Sequence, residues 1–372
     1  MAKGDDAPVK RINLALQGGG AHGAFTWGVL DRLLEDPRIE IDSITGASAG
    51  AMNAVVLAEG LSDGGCEEAR RRLKRFWAQV GEAARHSPVQ RSFIQKWLGG
   101  WSLDTSPGYL LFDMVSRVAS PYDLNPLDLN PLRDILVEAI DFKKVCECAH
   151  VQLFISATNV ETGQAKVFDQ EDLTADHVMA SACLPLLYKA VWIDGKPYWD
   201  GGYMGNPPLW PLFDHAQSDD VVIVQINPMK RPGAPRSARD ILNRLNEITF
   251  NASLMRELRA VDFVTRLMEA GRLENTGYRR VLTHIIGDEE SMAALGASSK
   301  LNAEQDFLDM LFERGRSTAD EWLAENFDAL NNRSSFDLAS LFGGEEDPLD
   351  GDRIDRRAKF QAARTKRRKR SP

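Results

Sequence analysis

No stretch of the chain approaches the ~20 apolar residues that a membrane-crossing helix needs, so no span through a bilayer is expected. Cysteine is scarce. The 372 residues hold four, Cys66, Cys146, Cys148 and Cys183. Cys146 and Cys148 stand two apart with no second pair to match them, so no disulfide framework follows, and all four are expected as free thiols of a reducing compartment. The N-terminal MAKGDDAPVKRINLAL carries neither a long apolar run nor a small-residue cleavage site, and a secretory signal is not expected. Positive charge is in deficit: 45 Lys and Arg against 54 Asp and Glu leave a formal net charge of −9, which argues against a global attraction to nucleic acid. The expectation is a soluble, cytoplasmic protein whose membrane contact, where it has any, is peripheral. What the chain does have is apolar residues, 43% of the total, enough to build one large domain or two of ordinary size. It also has a strongly basic end, RRAKFQAARTKRRKRSP, set against a correspondingly more acidic body.

The first hundred residues alternate between two patterns. RINLALQ is a short apolar run before glycines and reads as a buried strand. AFTWGVLDRLLED has apolar residues at helical spacing (Phe25, Val29, Leu33) and stops at Pro37. IEIDSITG is a second strand, and AGAMNAVVLAEG a small-residue helix closed by Gly60. Strand, helix, strand, helix predicts an α/β fold, a mostly parallel sheet covered by helices on both faces. CEEARRRLKRFWAQVGEAAR reads as an amphipathic helix. Ser87 to Pro131, rich in Trp, Leu, Phe and Pro, reads as helices and turns packed over the sheet, with an apolar cap over a site as the alternative. VQLFISATNV and VVIVQINP are strands, TADHVMASACLPLLY is a helix ending at Pro185, and KAVWIDGKPYWDGG is a hairpin turning at Asp194-Gly195. After Pro228 the pattern is mostly helical. One long amphipathic helix carries Leu242, Leu245, Leu254, Leu258, Val261 and Leu267 on its apolar side, and two further helices break at Gly315. VLTHIIG reads as a late strand. From about Asn331 the chain turns polar, loses periodicity and is expected to be disordered.

Two glycine motifs stand at the ends of the first two strands. GGGAHG, Gly18 to Gly23, can turn backbone N–H groups towards a phosphate or an oxyanion, helped by the helix that follows. Taken alone, Gly18-x-Gly20-x-x-Gly23 also satisfies a dinucleotide-binding fingerprint, with Glu40 or Asp42 as the acidic partner. That leaves a nucleotide-dependent oxidoreductase as a rival. GASAG, residues 46–50, tips the balance: Gly46 and Gly50 flank Ser48 on a strand-to-helix turn, the setting of a nucleophilic serine. Such a serine needs a base. Six histidines are available, His22, His86, His150, His177, His215 and His284, but none of those after Ser48 stands in an obvious strand-end loop beside other site-like residues. Asp200 in YWDGGYMGNPP does, at a strand end beside Gly201 and Gly202. Partial burial would raise its pKa towards that of a useful base.

GGGAHG, GASAG and DGG, with ATNVETG and SACLPLLYKAVWIDGKPYWDGG between them, resemble the patatin-like lipid acyl hydrolases over about residues 10–230. The resemblance implies a three-layer α/β/α catalytic domain over 8–232, and the residue pattern beyond it reads as a helical extension over 233–330 and a tail over 331–372. It further implies a Ser48–Asp200 dyad, an oxyanion hole from Gly18, Gly19 and Gly20, fatty acyl esters of (lyso)phospholipids as substrates, and no metal or organic cofactor. The family often has Arg or Lys where this chain has His22, so the positive charge there is expected to depend on pH. The apolar segment from Phe93 to Val118 is a candidate for admitting acyl chains. The basic residues from Arg356 to Arg370 are candidates for an anionic membrane surface, with a solvated charge run as the plain alternative. A thioesterase or polyester depolymerase on the same scaffold, and a catalytically silent scaffold, stay open.

Overall fold

A computed structural model of the protein describes residues 8–342 apart from 86, 88, 89, 93, 94, 97–99, 117, 232, 275 and 276. Of the tail expected to be disordered from about Asn331, residues from 343 onward lie outside the described residues, whereas residues 331–342 are ordered, Asn331 N–H donating to Asp220 at 2.9 Å and Leu338–Phe342 forming a short helix. The strands are β1 (Lys10–Leu16), β2 (Ile39–Gly46), β3 (Gln152–Asn159), β4 (Ala165–Asp169), β5 (Val191–Ile193), β6 (Lys196–Asp200), β7 (Asp220–Gln225) and β8 (Leu282–Gly287). They form one eight-stranded sheet ordered β5-β6-β3-β2-β1-β7-β8, with β4 also paired to β3. The centre, β3-β2-β1-β7-β8, is parallel. The β4, β5 and β6 side is antiparallel. Every residue of β7, DVVIVQ, is buried, as a parallel strand covered on both faces requires. At the β5–β6 hairpin both Asp194 (φ 51°) and Gly195 (φ 73°) take the left-handed backbone that a two-residue turn of this hand demands.

Helices flank the sheet, so the expected fold class is the one observed. The first, α1 (Gly23–Glu35), follows the glycine loop, and the second, α2 (Ala49–Ala84), follows the Ser48 turn. Helix α2 does not end at Gly60. Gly60 lies against the backbone of Ala69 within the same stretch, and the helix is interrupted instead at Gly64 and Gly65, whose φ values are −165° and 73°.

Gly315 is likewise not a break. It sits inside the continuous Gln305–Asn326 helix, where a methyl group would overlap the Phe25 carbonyl of α1, and Gly28 of α1 meets Phe312 in the same way. The two helices therefore cross at glycine-to-backbone contact. Asp31 and Glu35 of α1 add ion pairs to Arg316, and Asp31 pairs with Arg70 of α2 at 2.9 Å. Gly315→Ala is expected to force the helices apart and to cost about 2 kcal/mol, overpacking outweighing the gain in helix propensity. A thermal unfolding midpoint equal to that of the wild type would contradict this packing account.

The boundary drawn at 232/233 is not visible as a break. Residues 1–336 cluster as one compact unit, because β8 pairs along the whole of β7 and the Gln305–Asn326 helix covers α1. The 233–330 region is thus part of the sheet domain and not only a helical extension. Among the described residues, 337–342 fall in a separate unit that includes the Leu338–Phe342 helix. In the long Ala238–Glu269 helix, Leu254, Leu258 and Val261 are buried as expected, but Leu242 and Leu245 are exposed.

Candidate active site

Strand β2 ends at Gly46 and α2 begins at Ala49, so Ser48 occupies the corner between them. Its backbone sits at φ 52°, ψ −121°, a conformation that a residue with a side chain adopts only when its surroundings hold it there. The holding groups are visible. The Ser48 N–H donates to Ser181 Oγ at 2.8 Å, and the Gly50 N–H donates to the Ala47 carbonyl at 2.8 Å. The glycine loop after β1 lies alongside, since Leu16 of β1 is in register with Gly46 of β2. Gly18 packs directly on the corner, and a Cβ there would stand 2.7 Å from that of Ser48.

Asp200 ends β6, paired with Ala157 of β3, and Gly201 and Gly202 follow in a 3-10 turn. Its main chain is fixed by its N–H, which donates to the Cys183 carbonyl at 2.9 Å. Its carbonyl accepts from Thr158 Oγ1 at 2.8 Å. The carboxylate accepts from the Gly202 N–H at 2.7 Å, and the Ser48 hydroxyl stands close enough to favour its ionised form. It is 1% exposed. Burial pushes its pKa up from 3.8 to about 7, against the opposing pull of the Gly202 N–H, the Ser48 hydroxyl and the Lys300 charge. Ser48 and Asp200, separated by 152 positions in the chain, are therefore brought together.

The glycine loop needs one correction. The Gly18 N–H donates to Asn206 Oδ1 at 2.6 Å, so it anchors the loop and is not turned towards a substrate. On the other side of the same residue, the Gly18 carbonyl accepts from Asn227 Nδ2 at 2.7 Å. Gln17 Oε1 takes the backbone N–H groups of Ile226 (3.0 Å) and Asn227 (2.9 Å). Asn206 and Asn227 lie in GNPP and QINP, both quoted as strand-end sequence, yet an asparagine beside a proline gives no sign of which distant peptide it will hold. Ser181, from the Ala175–Ser181 helix, was missed for the same reason.

The second correction concerns His22. It is buried, its Nε2 lies 2.7 Å from Ser299 Oγ, and Ser299 Oγ–H donates to the Gly296 carbonyl, so His22 Nε2–H is the donor of that pair. Burial first, and the Lys300 charge second, push its pKa down to about 3. His22 is neutral throughout the physiological range, and no pH-dependent charge resides there. The cation of this region is Lys300, for which the sequence carries no motif.

Three of the other described histidines, His177, His215 and His284, are engaged elsewhere, and His150 is exposed. His177 Nδ1 accepts from the Thr174 N–H at 3.1 Å in a capping arrangement, His215 stacks on Phe154, and His86 lies outside the described residues. His284 bridges Asp220 (2.9 Å) and Ser335 (2.8 Å), pinning the 331–335 segment near the starts of β7 and β8, the opposite strand ends from Ser48. All four cysteines are free. Among the described residues no group of three His, Cys, Asp or Glu side chains is placed to hold a metal ion, and no helix is long and apolar enough to cross a membrane. Of the segment expected to admit acyl chains, Leu110, Leu111, Met114 and Val118 are exposed, while Phe93 lies outside the described residues.

Fold and geometry together set Ser48 on a strand-to-helix corner near the buried carboxylate of Asp200. Comparison with known proteins gives the class: the family model of patatin-like phospholipases matches residues 14–213, and the chain belongs to that family of lipid acyl hydrolases. No curated protein matches it. Among solved structures it is similar to VipD from Legionella pneumophila, at 16% identity over 85% of this chain and 67% of that chain, with a TM-score of 0.37. It is also similar to the ExoU–SpcU complex of the Pseudomonas aeruginosa type III secretion system, at 16% identity over 86% of this chain and 53% of that chain, with a TM-score of 0.35. The chain spans about half the length of the latter.

Proposed function

We propose that the protein is a serine lipid acyl hydrolase that cleaves fatty acyl esters of phospholipids or lysophospholipids through Ser48 as nucleophile and Asp200 as base. The observation that carries this reading is the meeting of Ser48, on its strand-to-helix corner, with a buried carboxylate whose pKa is raised to about 7. An aspartate of ordinary pKa is a poor proton acceptor. One poised near the working pH is a far better one.

In acylation, Ser48 Oγ bonds to the ester carbonyl carbon while its proton passes to Asp200. The charge that develops on the carbonyl oxygen is met by the amides of Gly19 and Gly20, Gly18 being committed to Asn206. Collapse breaks the acyl–oxygen bond, and the departing alcohol takes the proton from Asp200. Water then repeats the sequence. It loses a proton to Asp200, bonds to the acyl carbon, and releases Ser48, which recovers its proton.

A fluorophosphonate probe is expected to label the wild-type protein at a single peptide, the one containing Ser48, and hydrolysis of a panel of phospholipid, lysophospholipid and simple thioesters then ranks the substrates. Labelling mapped to another residue, or none at all, would overturn the assignment. Exposed apolar residues such as Leu111, Met114, Leu127 and Trp192 suit contact with an aggregated lipid substrate. The basic residues Arg356 to Arg370 add attraction to anionic headgroups in this reading. Deleting residues 351–372 is expected to weaken binding to anionic vesicles while leaving binding to neutral ones unchanged. Equal binding to both removes the tail from the account.

A further inference from the structure

Lys300 sits on the short 3-10 turn Ala297–Leu301, well beyond the residues matched by the family model. Its ammonium donates to Asn227 Oδ1 at 2.6 Å and lies 5.4 Å from the centre of the Phe250 ring. An ammonium can only donate, so it fixes which end of the Asn227 amide faces it. The NH2 end is thereby turned to the Gly18 carbonyl at 2.7 Å and to Gln17 Oε1 at 3.3 Å. Since the Gly18 N–H is taken by Asn206 at 2.6 Å, Gly18 is gripped at both its N–H and its carbonyl. The grip on the carbonyl, which leads into the Gly19 amide, is oriented by Lys300. The turn itself also touches the loop: the Lys300 carbonyl stands where a side chain on Gly20 would have to be.

The charged groups in the field of this ammonium are the carboxylates of Glu247 and Asp200, which favour its protonated form, and the guanidinium of Arg231, which opposes it. Reciprocally, Lys300 favours the ionised form of Asp200. His22, the remaining titratable neighbour, is neutral. Burial is the largest influence on Lys300 and brings its pKa down to about 8.

We propose that Lys300 is a positioning residue of the Ser48–Asp200 site, setting the glycine loop through Asn227. This rests on the hydrolase reading given above. Its test is the pH dependence of kcat/KM for a soluble ester, measured together with the rate of fluorophosphonate inactivation, on wild type, Lys300→Met and Lys300→Arg. Wild type is expected to rise with pH as Asp200 loses its proton near 7 and to fall again as Lys300 loses its own near 8. Arginine stays charged throughout the range, so Lys300→Arg should keep the acidic limb and lose the alkaline one. Lys300→Met should lower kcat by about 10- to 100-fold with little change in KM, and should move the acidic limb to higher pH because a cation near Asp200 is gone.

A merely structural lysine would change the folded fraction and leave both limbs where they are, and that result overturns the proposal. An alkaline limb that survives in Lys300→Arg overturns it as well, and decides the matter if the methionine variant does not fold. If the fluorophosphonate fails to inactivate even the wild type, the hydrolase reading itself has failed, which is a different and earlier result.

Discussion

Replacing Ser48 with alanine is expected to abolish fluorophosphonate labelling and to lower kcat for ester hydrolysis by about 10³-fold or more, with the thermal midpoint changed by little. The size of the effect follows from what alanine leaves intact. The Ser48 N–H to Ser181, the corner between β2 and α2, and the contact with Gly18 all belong to the backbone or Cβ, and alanine keeps them. The left-handed φ of 52° is as unfavourable for alanine as for serine, so no strain is released. What disappears is the hydroxyl that Asp200 faces. The variant therefore separates chemistry from folding, and kcat, labelling and the unfolding midpoint measured on one preparation check all three. Ser48→Ala protein that hydrolyses esters at the wild-type rate would exclude Ser48 as nucleophile.

Much of the sheet could be read in the sequence because its signals are local. β7 is a continuous apolar run, Asp194-Gly195 carries its own turn chemistry, and GASAG and DGG announce their corners within five residues. The motifs could also be placed at one edge, since strands that run parallel expose their C-terminal ends together. Glycine was the misleading residue. Gly60 and Gly315 look like helix ends when the chain is read alone, yet both permit a close approach by another backbone, which no local pattern reports. Leu242 and Leu245 mark the same limit from another side. Helical periodicity predicts that they share a face with Leu254 and Leu258, but not that a neighbour covers only the later turns.

The site divides along the same line. Ser48, Asp200 and the glycines are recognisable because tight turns need particular residues. The groups that orient them, Ser181, Asn206, Asn227 and Lys300, are ordinary polar residues whose partners lie between 73 and 210 positions away in the chain, and nothing in their own surroundings reveals the pairing. His22 shows the converse. It has a chemically suggestive position inside GGGAHG, but burial against Ser299 and the Lys300 charge leave it neutral. The charge supplied to the loop comes from the part of the chain expected to be an extension. The same part contributes β8 to the sheet and Gly315 to the support of α1, so the region beyond residue 213 belongs to the site as much as to the fold.

Asp200→Asn is expected to lower kcat by about 10³-fold while making the folded protein more stable at alkaline pH. Asparagine retains the shape and an oxygen for the Gly202 N–H, but it cannot take a proton from Ser48. The stability change has a definite sign. Asp200 titrates near 7 in the folded protein against 3.8 for the free group. Between those values the folded state holds a proton that the unfolded state has lost, so wild-type stability falls as pH rises from about 4 to about 7 and is level beyond. Three pKa units correspond to about 4 kcal/mol. The amide recovers only part of this, on the order of 1–2 kcal/mol, because its NH2 replaces an oxygen that accepted a hydrogen bond. Unfolding midpoints of the two proteins should therefore coincide most nearly at pH 4 and diverge in favour of the variant up to pH 7. A difference that is flat with pH, or that favours the wild type at pH 8, would mean that Asp200 carries no raised pKa, and its fitness as the base would go with it. The divergence would measure the cost of keeping a carboxylate ionised in a buried place, which is the same free energy that makes it accept the serine proton.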